Sequence, residues 1–221
     1  MGIHDRDYIR EEPHSSLFVS QPVVIQLVII NAVLFVANIL IGGKDAWLTS
    51  SLLMRPDTLT QPWMWWQFLT YGFVHSSDTS WHIMGNMFVL WMFGRQVENV
   101  YGRREFLTFY LTAIVLGGVL WSLRQTAMGV ESASMLGASG GVVAIFLLYI
   151  FHFPKHTLLF MMFIPMPAWM VGVLVIGSDL SLAFVPNTHV AFDVHLIGAT
   201  FAACYFYGHW RLFPLVSRLS F

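Results

Sequence analysis

Ser139 sits in the run GASGG (137–141), His195 opens DVHLIGATFAA (193–203), and His82 and Asn86 bracket HIMGN (82–86). A serine hydroxyl is a weak nucleophile until an adjacent base takes its proton, and an imidazole within hydrogen-bond reach is such a base. Taken alone, a serine collared by Gly137, Gly140 and Gly141 reads as close helix packing, since small residues let helices approach. Histidines within a membrane read differently: they are rare and mark functional sites by default. The elements that carry these residues decide between packing and chemistry.

Of the 221 residues 57% are hydrophobic and 10% charged, against about 25% charged in soluble domains. The chain therefore reads as an all-α integral membrane protein in one polytopic domain. A net charge of −1 supplies no basic field, so nucleic acid is excluded as a partner. Cys204 lies in an apolar run and reads as a small buried hydrophobe. No HExxH or paired carboxylate–histidine spacing occurs, so neither metal nor cofactor is expected. The N-terminal MGIHDRDYIREEPHSS has no apolar core and reads as a tail, not a signal peptide.

Six spans are predicted at 22–42, 81–100, 105–123, 139–153, 157–178 and 192–210, each near the about 20 apolar residues a bilayer requires. Arg6, Arg10, Arg95, Arg103, Arg104, Lys155, Arg211 and Arg218 fall on one side, and only Lys44, Arg55 and Arg124 on the other. By the positive-inside rule both termini are expected to be cytoplasmic. The long 43–80 connection, with Trp63, Trp65 and Trp66 interrupted by Pro62, Gln67 and Gly72, is expected at the outer interface.

This orientation starts spans two, four and six on the external side, so His82, Asn86, Ser139 and His195 share one depth. Span four has 15 residues, roughly 22 Å of helix, less than the hydrocarbon core. Its polar lead-in, QTAMGVESASML, must then line a water-filled cavity with Ser139 at its bottom. His82 and Asn86 share a face at i and i+4. His195, Gly198 and Ala202 at i, i+3 and i+7 give span six a face of one imidazole over small residues. That face, set against Gly137 and Gly141, is expected to bring His195 to Ser139. On this reasoning Gly198→Val is damaging and Gly198→Ala milder. Asp193 points about 200° away from His195 and reads as a helix cap, and Glu98 is at the wrong depth, so a dyad is expected.

The pattern resembles the rhomboid family of intramembrane serine proteases. Besides the three runs above, WQFLTYGFVH (66–75), FGRQVENVYG (93–102) and FIPMPAW (163–169) match, and the resemblance extends from about residue 20 to 212. It implies a six-transmembrane-helix bundle with an interfacial first external loop. It implies Ser139 as nucleophile and His195 as base, with Asn86, His82 and the Ser139 backbone N–H around the oxyanion. It also implies a structural hydrogen bond at His75, and a substrate gate formed by helix five and the 179–191 loop. The sequence departs from the family at Gln67, where an arginine is frequent, and at Val143, where a tyrosine or phenylalanine often stacks on the histidine.

The implied activity is hydrolysis of peptide bonds in or near the transmembrane segments of membrane-protein substrates, the lipid bilayer being the other partner. A catalytically inactive relative that only binds membrane proteins is the alternative; it typically lacks the serine or the histidine. A transporter is disfavoured, because no internal repeat is present. The expected organisation is a cytoplasmic tail (1–20), a protease domain (21–212) and a short cytoplasmic tail (213–221). The expected location is a prokaryotic cytoplasmic membrane, with the site open to the external side.

Overall fold

A helix that is apolar all round belongs at the centre of a bundle, and the GASGG run opens such a helix. The computed structural model describes residues 21–42, 47–77, 80–161, 163–182 and 192–213. The two tails at 1–20 and 214–221, Lys44, Met162, His189 and the 183–191 part of the expected gate lie outside the described residues. The longer helices are α1 (Val23–Ile41), α2 (Ser80–Tyr101), α3 (Arg103–Ala127), α4 (Ser139–His152), α5 (Ala168–Leu182) and α6 (Phe192–Tyr207). The protein is mostly helical.

Helix α4 is the axis. Every residue from Gly140 to Ile150 is buried except Val143, which is half-buried, and α6, α2 and α3 pack around it. Helix α1 is the opposite case: it buries Val23, Val24, Leu27, Asn31 and Asn38, while Val33, Val36 and Leu40 are exposed. By length and composition α1 and α3 can cross a membrane, and α4 and α5 are shorter apolar helices.

The structure differs from expectation at the fifth predicted span. Helix α5 begins only at Ala168, and residues 157–167 form an antiparallel hairpin of β1 (Thr157–Phe160) and β2 (Ile164–Pro167). Pro165 and Pro167 explain it: each lacks an N–H and pushes the preceding residue out of the helical region. The hairpin feeds the helix directly, since the Ala168 and Trp169 N–H groups donate to the carbonyls of His156 and Pro154 at 2.8 and 3.1 Å. Met166 consequently sits in β2, ahead of the helix. Cys204 is a second difference: it is exposed, because α6 turns Phe201, Ala202 and Tyr205 inward and leaves position 204 on its outer face.

Two buried carboxylates tie the basic end of the bundle. Glu98, near the end of α2, accepts from the Val23 and Val24 N–H groups at 2.8 and 3.0 Å, satisfying donors that a helix start leaves unpaired. Negative charge there also suits the positive end of the α1 dipole. Glu105, in the first turn of α3, accepts from the Tyr205 hydroxyl and from the Leu212 and Phe213 N–H groups. These roles account for Glu98 without chemistry.

Glu98→Ala removes both acceptors from buried N–H groups, at a cost of about 1–3 kcal/mol. Thermal unfolding in detergent should show a lowered midpoint, with Glu98→Gln, which keeps one acceptor oxygen, intermediate.

Candidate active site

The α4 start is set by backbone. Gly137 has φ +117°, a conformation open to glycine, and its N–H donates to the Tyr71 carbonyl at 2.9 Å. The turn it makes brings the chain into α4 at Ser139, which is half-buried. The first N–H groups of α4 have no carbonyl a turn earlier to receive them; the Val142 N–H is the first to do so, donating to Ala138 at 3.0 Å.

Each glycine of the collar meets a different neighbour. A methyl group on Gly198 would overlap the Gly140 carbonyl oxygen, and one on Gly140 would overlap Val194. Gly140, rather than Gly137 or Gly141, is therefore the residue against which α6 rests. Gly141 faces the Tyr110 ring and Ile114 of α3, and Gly137 faces the His82 imidazole. Ala202, one turn beyond Gly198, is fully buried. Ser139 precedes Gly140 and His195 follows Val194, so the two residues stand next in sequence to positions at which α4 and α6 approach each other closely. Because the obstacle at Gly198 is backbone, its first methyl already meets it, so alanine is costly too, even where valine costs more.

Around this contact stand the other polar residues. Asn86 is buried, and its Nδ2 donates to His75 Nε2 at 3.3 Å; the Ala138 N–H approaches the same nitrogen at 3.4 Å. His75 thus makes the structural hydrogen bond expected of it, with Nε2 as acceptor and the ring neutral. Burial first, and the neighbouring His82 charge second, push its pKa down to about 4. The His82 ring centre lies 5.9 Å from that of His75, on an exposed residue. Asp193 does not cap freely: it is paired with Arg124 of α3 at 3.2 Å and accepts from the Val194 N–H.

One residue here escaped the sequence reading. Asp179, near the end of α5, places Oδ1 3.0 Å from His195 Nδ1, with side-chain exposures of 7% and 14% for the aspartate and the histidine. No motif links positions 179 and 195. The available signal was a lone carboxylate within an apolar segment, which marks a functional candidate. Among the described residues, no cluster of histidine, cysteine and acidic side chains is suited to a metal ion.

A family model described as a Rhomboid domain matches residues 62–212. The chain belongs to the rhomboid family. Its relatives include RHOMBOID-like protein 12, mitochondrial, of Arabidopsis thaliana, 34% identical over 55% of this chain and 40% of the relative. The human Presenilin-associated rhomboid-like protein, mitochondrial, is 30% identical over 58% of this chain and 34% of its own length. Rhomboid-like protein 16, chloroplastic, of Arabidopsis thaliana is 28% identical over 72% of this chain and 52% of its own. This rhomboid chain spans about half or less of the curated relatives it matches. Their names also overturn the expected prokaryotic cytoplasmic membrane, for they are mitochondrial and chloroplast proteins and point to organelle membranes. Arg95, Arg103, Arg104 and Arg211 gather at one end of the bundle and mark its basic face.

Two outcomes follow for stability. Gly198→Ala should cost about 1–3 kcal/mol, the range for forcing atoms into a filled contact, and Gly198→Val no less, read as thermal midpoints. The depressed His75 pKa means the folded protein resists protonation that the unfolded chain accepts. Its stabilising contribution is complete above about pH 6.5 and declines as pH falls toward 4, at up to about 1.4 kcal/mol per unit. Midpoints measured from pH 7 to 4.5 should fall less steeply in His75→Gln than in the parent.

Proposed function

We propose that this rhomboid is an active intramembrane serine protease, cleaving membrane-protein substrates in or near their transmembrane segments through Ser139 and His195. The observation that carries this reading is the Gly140–Gly198 backbone contact, next in sequence to Ser139 and one turn from His195, which leaves no side chain to hold their two helices apart. In the proposed reaction, Ser139 Oγ attacks the scissile carbonyl carbon while its proton passes to His195 Nε2. The imidazolium then gives that proton to the departing amine as the C–N bond breaks. A water, deprotonated by the same nitrogen, hydrolyses the acyl–serine ester and regenerates the hydroxyl.

The charge on the former carbonyl oxygen needs fixed donors in a site of low dielectric. The Ser139 N–H at the α4 start is one, and the helix dipole reinforces it. The Asn86 amide has two N–H groups; with one given to His75, the other remains for the oxyanion. His82, beside Gly137, is the third donor by resemblance to the family. Gly137, Gly140, Gly141, Gly198 and Ala202 serve by their small size.

Six helices, α1 to α6, are proposed to span the bilayer, with residues 21–212 as the folded unit between two tails. The 47–77 segment is proposed to lie at the interface opposite the basic face, which suits the exposure of Trp63, Trp65 and Trp66. The half-buried Ser139 is then reached by water from that side. The compartments named for its relatives support an organelle membrane. Substrates are membrane proteins with a helix that can unwind at the site; no cofactor is required by this chemistry.

A fluorophosphonate probe tests the assignment. Purified protein in detergent or vesicles should be labelled covalently at Ser139, and Ser139→Ala and His195→Ala should lose both labelling and cleavage of a transmembrane substrate. Ser139→Ala should stay folded, whereas His195→Ala also strips the buried Asp179 of its one hydrogen-bond partner, so its folding is read as a thermal midpoint beside the labelling. Cleavage at the parent rate by Ser139→Ala would defeat the proposal.

A further inference from the structure

Helix α5 reads AWMVGVLVIGSDLSL, in which Asp179 is the sole charged residue. Its carboxylate is withdrawn from the surface, at 5% exposure. One oxygen meets His195 Nδ1 at 3.0 Å, and the other, Oδ2, has no hydrogen-bond partner among the described residues. A buried carboxylate with one oxygen unpaired is expensive, and an apolar residue in its place is often neutral or stabilising. Folding therefore gains little from this aspartate. Glu98 and Glu105, by contrast, each collect at least two donors and do structural work.

We propose that Asp179 is the positioning residue of the catalytic pair, so that this rhomboid works with an Asp179–His195–Ser139 relay of contacts instead of an isolated dyad. The proposal rests on the protease reading and adds to it the group that orients its base. A carboxylate can only accept, so the imidazole facing it must carry its proton on Nδ1. The lone pair is then on Nε2, the nitrogen left to take the Ser139 proton. When that proton arrives, the ring becomes a cation 3.0 Å from a carboxylate whose second oxygen has no competing donor, so attraction is strongest in the charged state formed during the reaction. Asp179 keeps its charge throughout, and no proton moves to it. Among the described residues no aromatic ring is stacked on His195, and half-buried Val143 offers none, so the hydrogen bond is what fixes the plane of the ring.

Other charged or titratable groups face the same imidazole. His82 of α2 lies within electrostatic reach of it. On α6, Asp193 also does, but it is neutralised by Arg124 of α3. Neither His82 nor Asp193 bonds Nδ1, so only Asp179 dictates the tautomer.

Asp179→Asn separates positioning from tethering. Asparagine keeps an acceptor oxygen and nearly the same shape, so a mere tie between α5 and α6 survives, whereas the charge is lost. The kcat for a transmembrane substrate should fall, by up to about 10⁴-fold as when the aspartate of a serine protease triad is replaced by asparagine, with KM little changed. The acid limb of the kcat–pH profile should move to lower pH, because the imidazolium loses its stabilising neighbour. Asp179→Glu, which retains the charge with displaced geometry, should keep the parent acid limb while lowering kcat. Nitrogen-15 spectra of histidine-labelled protein read the tautomer without turnover: Nδ1 protonated in the parent, mixed in Asp179→Asn. Parent kcat and parent acid limb in a folded Asp179→Asn protein would overturn the proposal, as would an Nε2-protonated His195 in the parent. A parent protein that neither cleaves nor takes up fluorophosphonate sinks the protease reading instead. The nitrogen-15 result still decides whether Asp179 sets the tautomer, and should Asp179→Asn fail to fold, the Asp179→Glu profile and the parent spectrum decide.

Discussion

A hydrogen atom in place of a side chain at Gly198 lets α6 lie against the carbonyl of Gly140, and the rest of the bundle is arranged around that approach. Apolar burial gives little drive between helices in lipid, because the tails are as apolar as the side chains; close backbone contact and interhelical hydrogen bonds do the holding. The small residues are distributed accordingly. Gly140 receives Val194, Gly141 receives Tyr110 and Ile114, and Gly172 of α5 receives Ile150. Each marks a place where a large side chain of one helix fills a notch in another. The serine's collar is thus packing, and the serine and the histidine stand on the two helices that this packing brings together.

Polar groups within this apolar bundle sort into those that close the fold and those that do not. Glu98 and Glu105 receive backbone N–H groups at helix ends, and Asn38 is bonded by the Thr49 hydroxyl. Gln67, where an arginine is frequent in the family, accepts from Thr58 at 2.6 Å and donates to the Ser51 carbonyl at 3.1 Å. A neutral amide here replaces a charge as the anchor of the first loop, and it is fully buried. Asp179 differs in kind: it meets a side chain that titrates and leaves half of itself unpaired.

Much of this was legible from residue spacing, because a helix face is written in its own sequence. His195, Gly198 and Ala202 lie on one face by period, and the motif order gave the family that the domain match bears out. What spacing does not carry is the meeting of residues from separate helices in one place. Asp179 and His195 are 16 positions apart across a helix junction, and no period connects them. The choice of Gly140 over Gly141 is a matter of about 100° of helix rotation, finer than an apolar run defines. The β1–β2 hairpin was hidden for another reason: its residues are as hydrophobic as a span, and only the two prolines argued against a helix.

The first loop shows how a segment outside the bundle becomes part of the site. Gly117 and Gly118 on α3 leave a groove into which Tyr71 and Met54 fit, and the Tyr71 hydroxyl donates to the Ile114 carbonyl at 2.7 Å. From that seat the loop reaches the α4 lead-in twice, through the reciprocal Met54–Met135 backbone pair at 2.9 Å and through the Tyr71 carbonyl on Gly137. His75 then meets both Asn86 and Ala138. A displacement of the loop would therefore move Gly137, and with it the start of α4, before it disturbed any transverse helix contact. The Gly117–Gly118 notch is consequently as much a condition of the Ser139 geometry as the Gly140–Gly198 contact. One fixes the helix partner of the serine, and the other fixes the turn from which the serine emerges.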